Sequence, residues 1–237
     1  MKLLLFDIDG TLIRGRGAGR HSLGRAFAQV FGVADIEAAM DRVEFNGRTD
    51  PQIIEGVATA AGIPHADLHP RLDELTANYL EHLRGLAGEP GGAHPCPGYP
   101  ELLDRLVDRP GIALGLLTGN IEPGARIKLE PCGMNRYFAD GGYGSDHPER
   151  PTIAAIARKK FEARLGHAFA PEDVVVIGDT VHDVTCGRQN GFRTVAVGTG
   201  GVAEATLRAA AADSYFHDFS DVAAVLQLLE AEFSIPV

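Results

Sequence analysis

The sequence opens on MKLLLFDIDGT, residues 1–11, in which an apolar run ends abruptly in two carboxylates and a glycine. The run from Leu3 to Phe6 has the length and composition of a buried β-strand. Asp7 and Asp9 follow it one residue apart, and two negative charges held so close repel each other unless positive charge lies beside them. The stretch therefore predicts a strand that delivers two acidic side chains to a site containing a cation.

Length, composition and charge restrict the class of protein. A chain of 237 residues, 45% of them hydrophobic, is long enough for one large domain or for a domain with an insertion. A net charge of −10 without any Lys/Arg cluster argues against nucleic acid as a partner. The three cysteines are scattered and form no CxxC pair, which indicates reduced core residues. No apolar stretch is long enough for a membrane span or a signal peptide, so we expect no membrane partner and a cytoplasmic location.

The apolar pattern divides the chain into two kinds of segment. Between about residues 15 and 90, apolar residues recur with helical spacing and no strand is indicated. The stretch GEPGGAHPCPGYP, residues 88–100, is rich in proline and glycine and predicts a linker. Beyond it the pattern alternates between helices and strands, with strands predicted at residues 112–117, 137–139, 174–177 and 194–197.

Alternating strands and helices predict an α/β fold, with a Rossmann-like parallel sheet covered by helices on both faces. The opening strand belongs to this sheet, so the helical segment must be an insertion behind it. We therefore predict an α/β core over residues 1–14 and 97–237 and an inserted, all-helical domain over residues 15–96.

Polar residues follow three of the predicted strands, and ligands of open parallel sheets bind beyond the carboxyl ends of strands. Besides Asp7 and Asp9, these residues are Thr118, Gly119, Asn120, Gly178, Asp179 and, slightly later, Asp183. Each alone would be an ordinary helix cap or turn residue. Four carboxylates at one edge would repel unless a hard cation bridged them, and Mg²⁺ prefers oxygen ligands of this kind. The pattern therefore predicts a magnesium site.

Three motifs in this order resemble a known family. DIDGT (7–11), LLTGN (116–120) and GDTVHD (178–183) are similar to the first, second and fourth motifs of the haloacid dehalogenase superfamily. The resemblance is closest to its capped phosphatases with an aspartate nucleophile, the phosphoglycolate phosphatase-like group. It implies Mg²⁺-dependent hydrolysis of a small phosphorylated metabolite, a phosphate monoester, through an aspartyl-phosphate, with the helical insertion acting as a cap over the site.

The resemblance also implies a role for each matching residue. Asp7 is expected to attack phosphorus and to ligate the metal. Asp9 is expected to protonate the leaving oxygen and later to deprotonate water, which requires a partly raised pKa, while its backbone carbonyl ligates the metal. Phosphate binding is expected from Gly10, Thr118, Gly119 and Asn120. The remaining metal ligands are expected to be Asp179 and Asp183.

The third motif departs from the family pattern. The family usually has a lysine, often followed by proline, between the second and fourth motifs, whereas this chain has Arg150 followed by Pro151. We expect Arg150 to fill this role, because Pro151 sets a helix start and a guanidinium binds two oxygens at once. The alternatives are Lys159, Lys160 and Lys128.

Two arginines are candidates for substrate specificity. Arg48 lies in FNGRTDPQII, residues 45–54, which resembles a cap segment of the family and would place its guanidinium toward the substrate. The alternative is that Arg48 only pairs with Asp50 or Glu44. Arg16 lies in a glycine-rich segment after the first motif and is expected near the mouth of the site.

Other functions stay open at this point. A sugar-phosphate mutase would keep all the same catalytic residues. A non-catalytic phosphate-sensing module would be expected to lack Asp7 or Asp9, and both are present. A phosphonate hydrolase would need a lysine in the insertion, and none occurs between Gly15 and Cys96. The helical faces fit a monomer as well as a homodimer.

Overall fold

The computed structural model describes residues 1–89 and 92–234. Within them the strands are, in chain order, β1 (Lys2–Phe6), β2 (Ile13–Gly15), β3 (Ala93–Pro95), β4 (Ile112–Leu117), β5 (Gly141–Gly142), β6 (Val174–Gly178), β7 (Arg193–Val197) and β8 (Ser214–Phe216). The α-helices are α1 (Ala18–Phe31), α2 (Ile36–Met40), α3 (Asp50–Ala60), α4 (His65–Leu68), α5 (Leu72–Ala87), α6 (Glu101–Leu106), α7 (Glu122–Leu129), α8 (Arg150–Leu165), α9 (Val181–Gln189), α10 (Glu204–Ala209) and α11 (Val222–Phe233).

Six of the strands form one parallel sheet in the order β5-β4-β1-β6-β7-β8. Side chains alternate along β1, so Leu4 and Phe6 enter an apolar cluster on one face while Leu3 and Leu5 enter a second cluster on the other. A strand buried on both faces is apolar at every position, which explains the uninterrupted run in the sequence. The predicted parallel α/β sheet is confirmed.

Helices α1 to α5 form the insertion between β2 and β3, two short strands that pair with each other in antiparallel fashion. These helices share an apolar cluster of their own, in which Phe27, Val57 and Leu83 are fully buried. Ile121 and Ile127, on or next to α7, pack against that cluster from the side of the sheet. The structure thus contains the expected helical insertion, and its division from the core after residues 14 and 96 stays a prediction.

The linker predicted over residues 88–100 falls only partly within the described chain. Pro90 and Gly91 lie outside the described residues, and the following residues form β3.

None of the helices in residues 1–89 and 92–234 combines the length and the hydropathy needed to span a membrane.

Two short strands of the parallel sheet differ from the sequence prediction, and the pair β2 and β3 outside it was not predicted. The strand expected at residues 137–139 is wrong: residues Met134–Tyr137 form a turn of 3₁₀-helix, and Phe138 packs on Phe6 with ring centroids 5.9 Å apart. The strand at this edge is instead the glycine pair of β5, where a Cβ on Gly141 would lie only 2.7 Å from that of Leu116. Strand β8 was not predicted, because three residues at a sheet edge carry too little pattern.

Candidate active site

Strand β1 presents Asp7 and Asp9 to different surroundings. The backbone N–H of Asp7 donates to the carbonyl of Ile177, 2.9 Å away, which extends the pairing with β6 by one bond. The Asp7 side chain is buried, whereas that of Asp9 is half exposed to a cavity. Between this pair and β2 the chain turns at Gly10, whose φ is +88° and where a Cβ would lie 2.8 Å from the carboxyl carbon of Asp179. A glycine is therefore required at this turn.

Three buried carboxylates meet beside the end of β1. Asp7, Asp179 and Asp183 each offer an oxygen, and these oxygens lie within 4.8 Å of one another. Asp179 follows β6, and Asp183 is fixed in the first turn of α9, where it forms a capping box with Thr180. The sequence-predicted metal ligands of the fourth motif thus lie beside Asp7, the predicted nucleophile. The Asp9 carboxylate is not in this group.

The electrostatics of the three carboxylates favour a divalent cation. Burial and the nearby charge of Asp183 raise the pKa of Asp7 from 3.8 to about 7. Burial and the charge of Asp7 likewise raise the pKa of Asp179 well above its ordinary value. These carboxylates destabilise one another when ionised, and a hard cation on their oxygens would relieve that cost. The donor set consists of oxygens only and fits Mg²⁺.

Arg150 supplies positive charge to the same group. It is the first residue of α8 and is 7% exposed, and its guanidinium donates to Asp183 and lies 3.5 Å from Oδ1 of Asp7. Burial alone would lower the pKa of Arg150, but the carboxylates of Asp183 and Asp7 outweigh it and keep the guanidinium charged. Its Nε has no hydrogen-bond partner within the described residues. This geometry suits the third-motif role expected for Arg150.

The lysine alternatives for the third motif lie elsewhere. Lys160 pairs with Asp146 at 2.7 Å, and Lys159 is exposed on α8. Lys128 enters the cavity from α7 and contacts Asp9 instead of Asp7: its Nζ lies 2.7 Å from Asp9 Oδ2. The position of Lys128 in a predicted helix does not indicate which strand end that helix packs against. The contact between Lys128 and Asp9 was therefore not predicted from the sequence.

The expected raised pKa of Asp9 is wrong for this structure. Partial desolvation at the cavity wall acts to raise the pKa of Asp9, but the charge of Lys128 and hydrogen bonds from Lys128 and Asn120 outweigh it and lower the pKa. Both donors bind the same oxygen, Asp9 Oδ2, with Asn120 Nδ2 at 2.8 Å. Asp9 is therefore held as a carboxylate before any substrate arrives.

The second motif lies under the insertion. Thr118 is buried after β4, and its hydroxyl accepts a hydrogen bond from Asn120 Nδ2 at 2.8 Å. The carbonyl of Gly119 accepts the backbone N–H of Asp50, at the start of α3, at 2.7 Å. A Cβ on Gly119 would overlap the carbonyl oxygen of Arg48. This glycine therefore permits close approach of the insertion.

A cavity of about 900 Å³ lies between the sheet edge and the inserted helices. Its walls include most of the sequence-predicted residues: Asp7, Asp9, Gly10, Arg48, Thr118, Gly119, Asn120, Arg150 and Asp179. Arg48 is half exposed there and lies 3.6 Å from Glu44, so both interpretations of Arg48 describe part of its surroundings. Its other suggested partner, Asp50, instead accepts the N–H of Ile121 at 2.9 Å. Arg16 is exposed and does not line the cavity.

Comparisons with known proteins place the chain in a family and support its fold. A family model described as haloacid dehalogenase-like hydrolase matches residues 1–191. The phosphoglycolate phosphatase of Agrobacterium fabrum is 28% identical over 82% of this chain and 79% of its own. The 5'-nucleotidase of Pseudomonas aeruginosa is 30% identical over 96% of this chain and 95% of its own. A crystal structure of a predicted phosphoglycolate phosphatase from Haemophilus somnus has a TM-score of 0.69 at 17% identity, covers 96% of this chain and 98% of that chain, and supports the fold.

Proposed function

Because the chain belongs to the haloacid dehalogenase-like hydrolases, we propose that it hydrolyses a small phosphate monoester in a Mg²⁺-dependent reaction through a phosphorylated Asp7. One observation carries the proposal. The Asp7 carboxylate sits in a buried acidic group that needs a cation, beside Arg150 and at the wall of a large cavity. Residues 15–96 would act as the cap of this cavity.

The residues divide the reaction between them. An oxygen of Asp7 attacks phosphorus as the bond from phosphorus to the leaving oxygen breaks, and Asp9 gives that oxygen a proton. Asp9 then takes a proton from water, whose oxygen attacks the phosphorus of phosphorylated Asp7 and releases the carboxylate. When bound by Asp7, Asp179, Asp183 and the Asp9 carbonyl, Mg²⁺ would supply charge stabilisation for the transferring group. Thr118 and Arg150 bind phosphoryl oxygens.

Asp9 must gain a proton before it can act as an acid. Lys128 and Asn120 keep it ionised in the free protein. A dianionic phosphate group close to Asp9 would raise its pKa, since like charges disfavour ionisation. Protonation of Asp9 would thus follow the arrival of substrate. Transfer of that proton to the leaving oxygen leaves Asp9 as a carboxylate, which the contacts with Lys128 and Asn120 would stabilise for the second step.

Two substrate classes are supported by different observations. A phosphoglycolate-like substrate is supported by the Agrobacterium relative and by Arg48, whose guanidinium could bind a carboxylate. A bulkier monoester, such as a nucleoside 5'-monophosphate, is supported by the Pseudomonas relative and by the cavity, which would leave a two-carbon acid mostly surrounded by water. The insertion contributes apolar and aromatic side chains to the cavity walls, beside the charged Arg20, Glu44, Arg48 and Asp50: Leu23, Val43, Phe45, Ile53, Ile54 and Tyr79.

The test is release of phosphate from p-nitrophenyl phosphate by the wild type and by Asp7→Asn, each with Mg²⁺ and with EDTA. We expect release only from the wild type with Mg²⁺, while Asp7→Asn keeps the wild-type circular dichroism spectrum. A panel containing phosphoglycolate and nucleoside 5'-monophosphates would then rank the two substrate classes by kcat/KM. Undiminished turnover by Asp7→Asn would remove Asp7 from the nucleophile role. A wild type that binds Mg²⁺ and releases nothing would favour the mutase or sensor alternative.

A further inference from the structure

Lys128 and Asn120 hold one oxygen of the Asp9 carboxylate between them. Lys128 Nζ lies 2.7 Å from Asp9 Oδ2 and 2.6 Å from Asn120 Oδ1, while Asn120 Nδ2 donates to the same Asp9 Oδ2 at 2.8 Å. The three side chains therefore form a closed ring of hydrogen bonds. Asp9 Oδ1 accepts no side-chain hydrogen bond from the described residues, so the ring leaves that oxygen available for proton transfer.

Lys128 is not placed to bind the nucleophile. Asp7 has Arg150 as its cationic partner, and no ion pair within 4.0 Å joins Asp7 to Lys128 in the described chain. The Lys128 side chain is only 13% exposed, so its ammonium is not simply solvated. A charged side chain that is largely removed from water requires a compensating partner, and here that partner is Asp9.

The inserted helices enclose the Lys128 ammonium from the other side. A Cβ on Gly19 of α1 would lie 3.3 Å from Nζ and 3.8 Å from the hydroxyl of Tyr79 on α5, so a glycine at this position leaves room for the ammonium. The carboxylate of Asp50, at the start of α3, acts on Lys128 together with that of Asp9 and helps to keep it charged. Lys128 thus lies between an acidic residue of the sheet edge and one of the insertion.

We propose that Lys128 is a positioning residue, which fixes the Asp9 carboxylate so that its free oxygen faces the leaving group. This inference rests on the proposed function and adds a residue to it that the family motifs quoted above do not contain. Two hydrogen bonds on one oxygen restrict rotation of the carboxylate, and correct orientation of a proton donor is worth a large part of its catalytic effect. Without Lys128, Asn120 alone would hold Asp9.

The experiment compares Lys128→Met with the wild type on phosphate esters whose leaving groups range from p-nitrophenol to simple alcohols. The measured quantity is the dependence of kcat/KM on the pKa of the leaving group. Poor leaving groups require a proton from Asp9, whereas p-nitrophenolate leaves without one. We therefore expect kcat/KM to fall by about 100-fold for alkyl phosphates and by only a few-fold for p-nitrophenyl phosphate. Lys128→Arg should recover part of the loss, because it keeps a donor and a charge.

Lys2→Met is the matched control. Lys2 also forms a partly buried ion pair with an aspartate, Asp173 at 2.6 Å, but lies at the opposite end of β1. The Lys2→Met variant should show the wild-type dependence of kcat/KM on the pKa of the leaving group. Thermal unfolding of each variant shows whether it is folded, and if Lys128→Met does not fold, Lys128→Arg and Lys128→Gln carry the same comparison.

The possible outcomes separate this inference from the proposed function. A steeper leaving-group dependence in Lys128→Met, partly restored in Lys128→Arg, supports it. An equal loss for all esters, or no loss, would show that Lys128 has no part in positioning Asp9 and would leave the proposed function intact. A wild type that hydrolyses none of the esters would overturn both.

Discussion

At the scale of single residues, the contacts of Arg150 follow from its positive charge and from its position at the start of α8. Its guanidinium reaches Asp183 and Asp7 from the first turn of α8, and both carboxylates are buried. One guanidinium nitrogen, Nη2, lies close to both carboxylates, so a single cation compensates the two charges, and arginine can stand where the family usually has lysine. The sequence predicted this from Pro151, because a proline after the cation fixes where the helix starts and hence where the side chain begins.

We expect Arg150→Ala to lose both activity and stability. Removing one partner of a buried ion pair leaves uncompensated charge, which costs about 3–5 kcal/mol of unfolding free energy. Loss of the cation should also lower kcat/KM for p-nitrophenyl phosphate by about 100-fold or more. Urea unfolding and steady-state kinetics measure the two effects. Arg150→Lys should lie between the wild type and Arg150→Ala.

Arg158→Ala provides the control, since Arg158 lies on the same helix but forms a partly exposed pair with Glu162 at 3.0 Å. Its loss should change the free energy of unfolding by less than about 1 kcal/mol. Arg150→Ala with wild-type kcat/KM would contradict the role assigned to Arg150.

Residue-scale prediction from the sequence succeeded where local spacing fixes position and failed where contacts are distant. Asp7, Thr118 and Asp179 each follow a strand directly, so the edge of the sheet at which they meet could be predicted. Lys128 reaches Asp9 across 119 positions of sequence, and only the packing of α7 brings them together. The lowered pKa of Asp9 depends on that contact and was unpredictable for the same reason.

At the scale of elements, the start of α3 connects the insertion to the sheet edge. Thr49 caps the helix and also donates to the carbonyl of Pro148 at 3.0 Å, while Gln52 donates to Glu149 at 3.0 Å. The capping box at Thr49 and Gln52 is readable from the sequence as a helix start. Its contact partners are not, because they lie about 100 positions away in the chain.

Gly119→Ala should separate α3 from the loop after β4. A Cβ there would overlap the carbonyl oxygen of Arg48, so the Asp50 N–H should lose its hydrogen bond to Gly119. We expect hydrogen exchange at the Asp50 amide to become at least about tenfold faster, since a broken contact lowers local protection. Gly85→Ala is the control: Gly85 is exposed on α5, nothing lies within 4 Å of its Cβ position, and alanine favours the helix. Unchanged exchange at Asp50 in Gly119→Ala would show that the contact is not tight.

At the scale of the whole molecule, the buried carboxylates make stability depend on pH and on metal together. The pKa of Asp7 rises from 3.8 in an ordinary setting to about 7 in the folded protein. A folded-state pKa above the unfolded value means that the folded form holds the proton more tightly. The resulting stabilisation is complete below about pH 4 and is lost as the pH rises through about 7. Above that pH the ionised carboxylates repel one another, and a bound divalent cation should restore the lost stability.

We therefore expect Mg²⁺ to raise the melting temperature of the wild type much more at about pH 8 than at about pH 5, because protons already neutralise the site at the lower pH. A difference of at least about 3 °C is expected, corresponding to roughly 1 kcal/mol in a chain of this size. Thermal unfolding with Mg²⁺ or EDTA at both values measures it. Asp7→Asn removes the titrating group, so in EDTA it should lose less stability than the wild type between the two pH values. An equal Mg²⁺ effect at both would mean that the three carboxylates do not hold the ion.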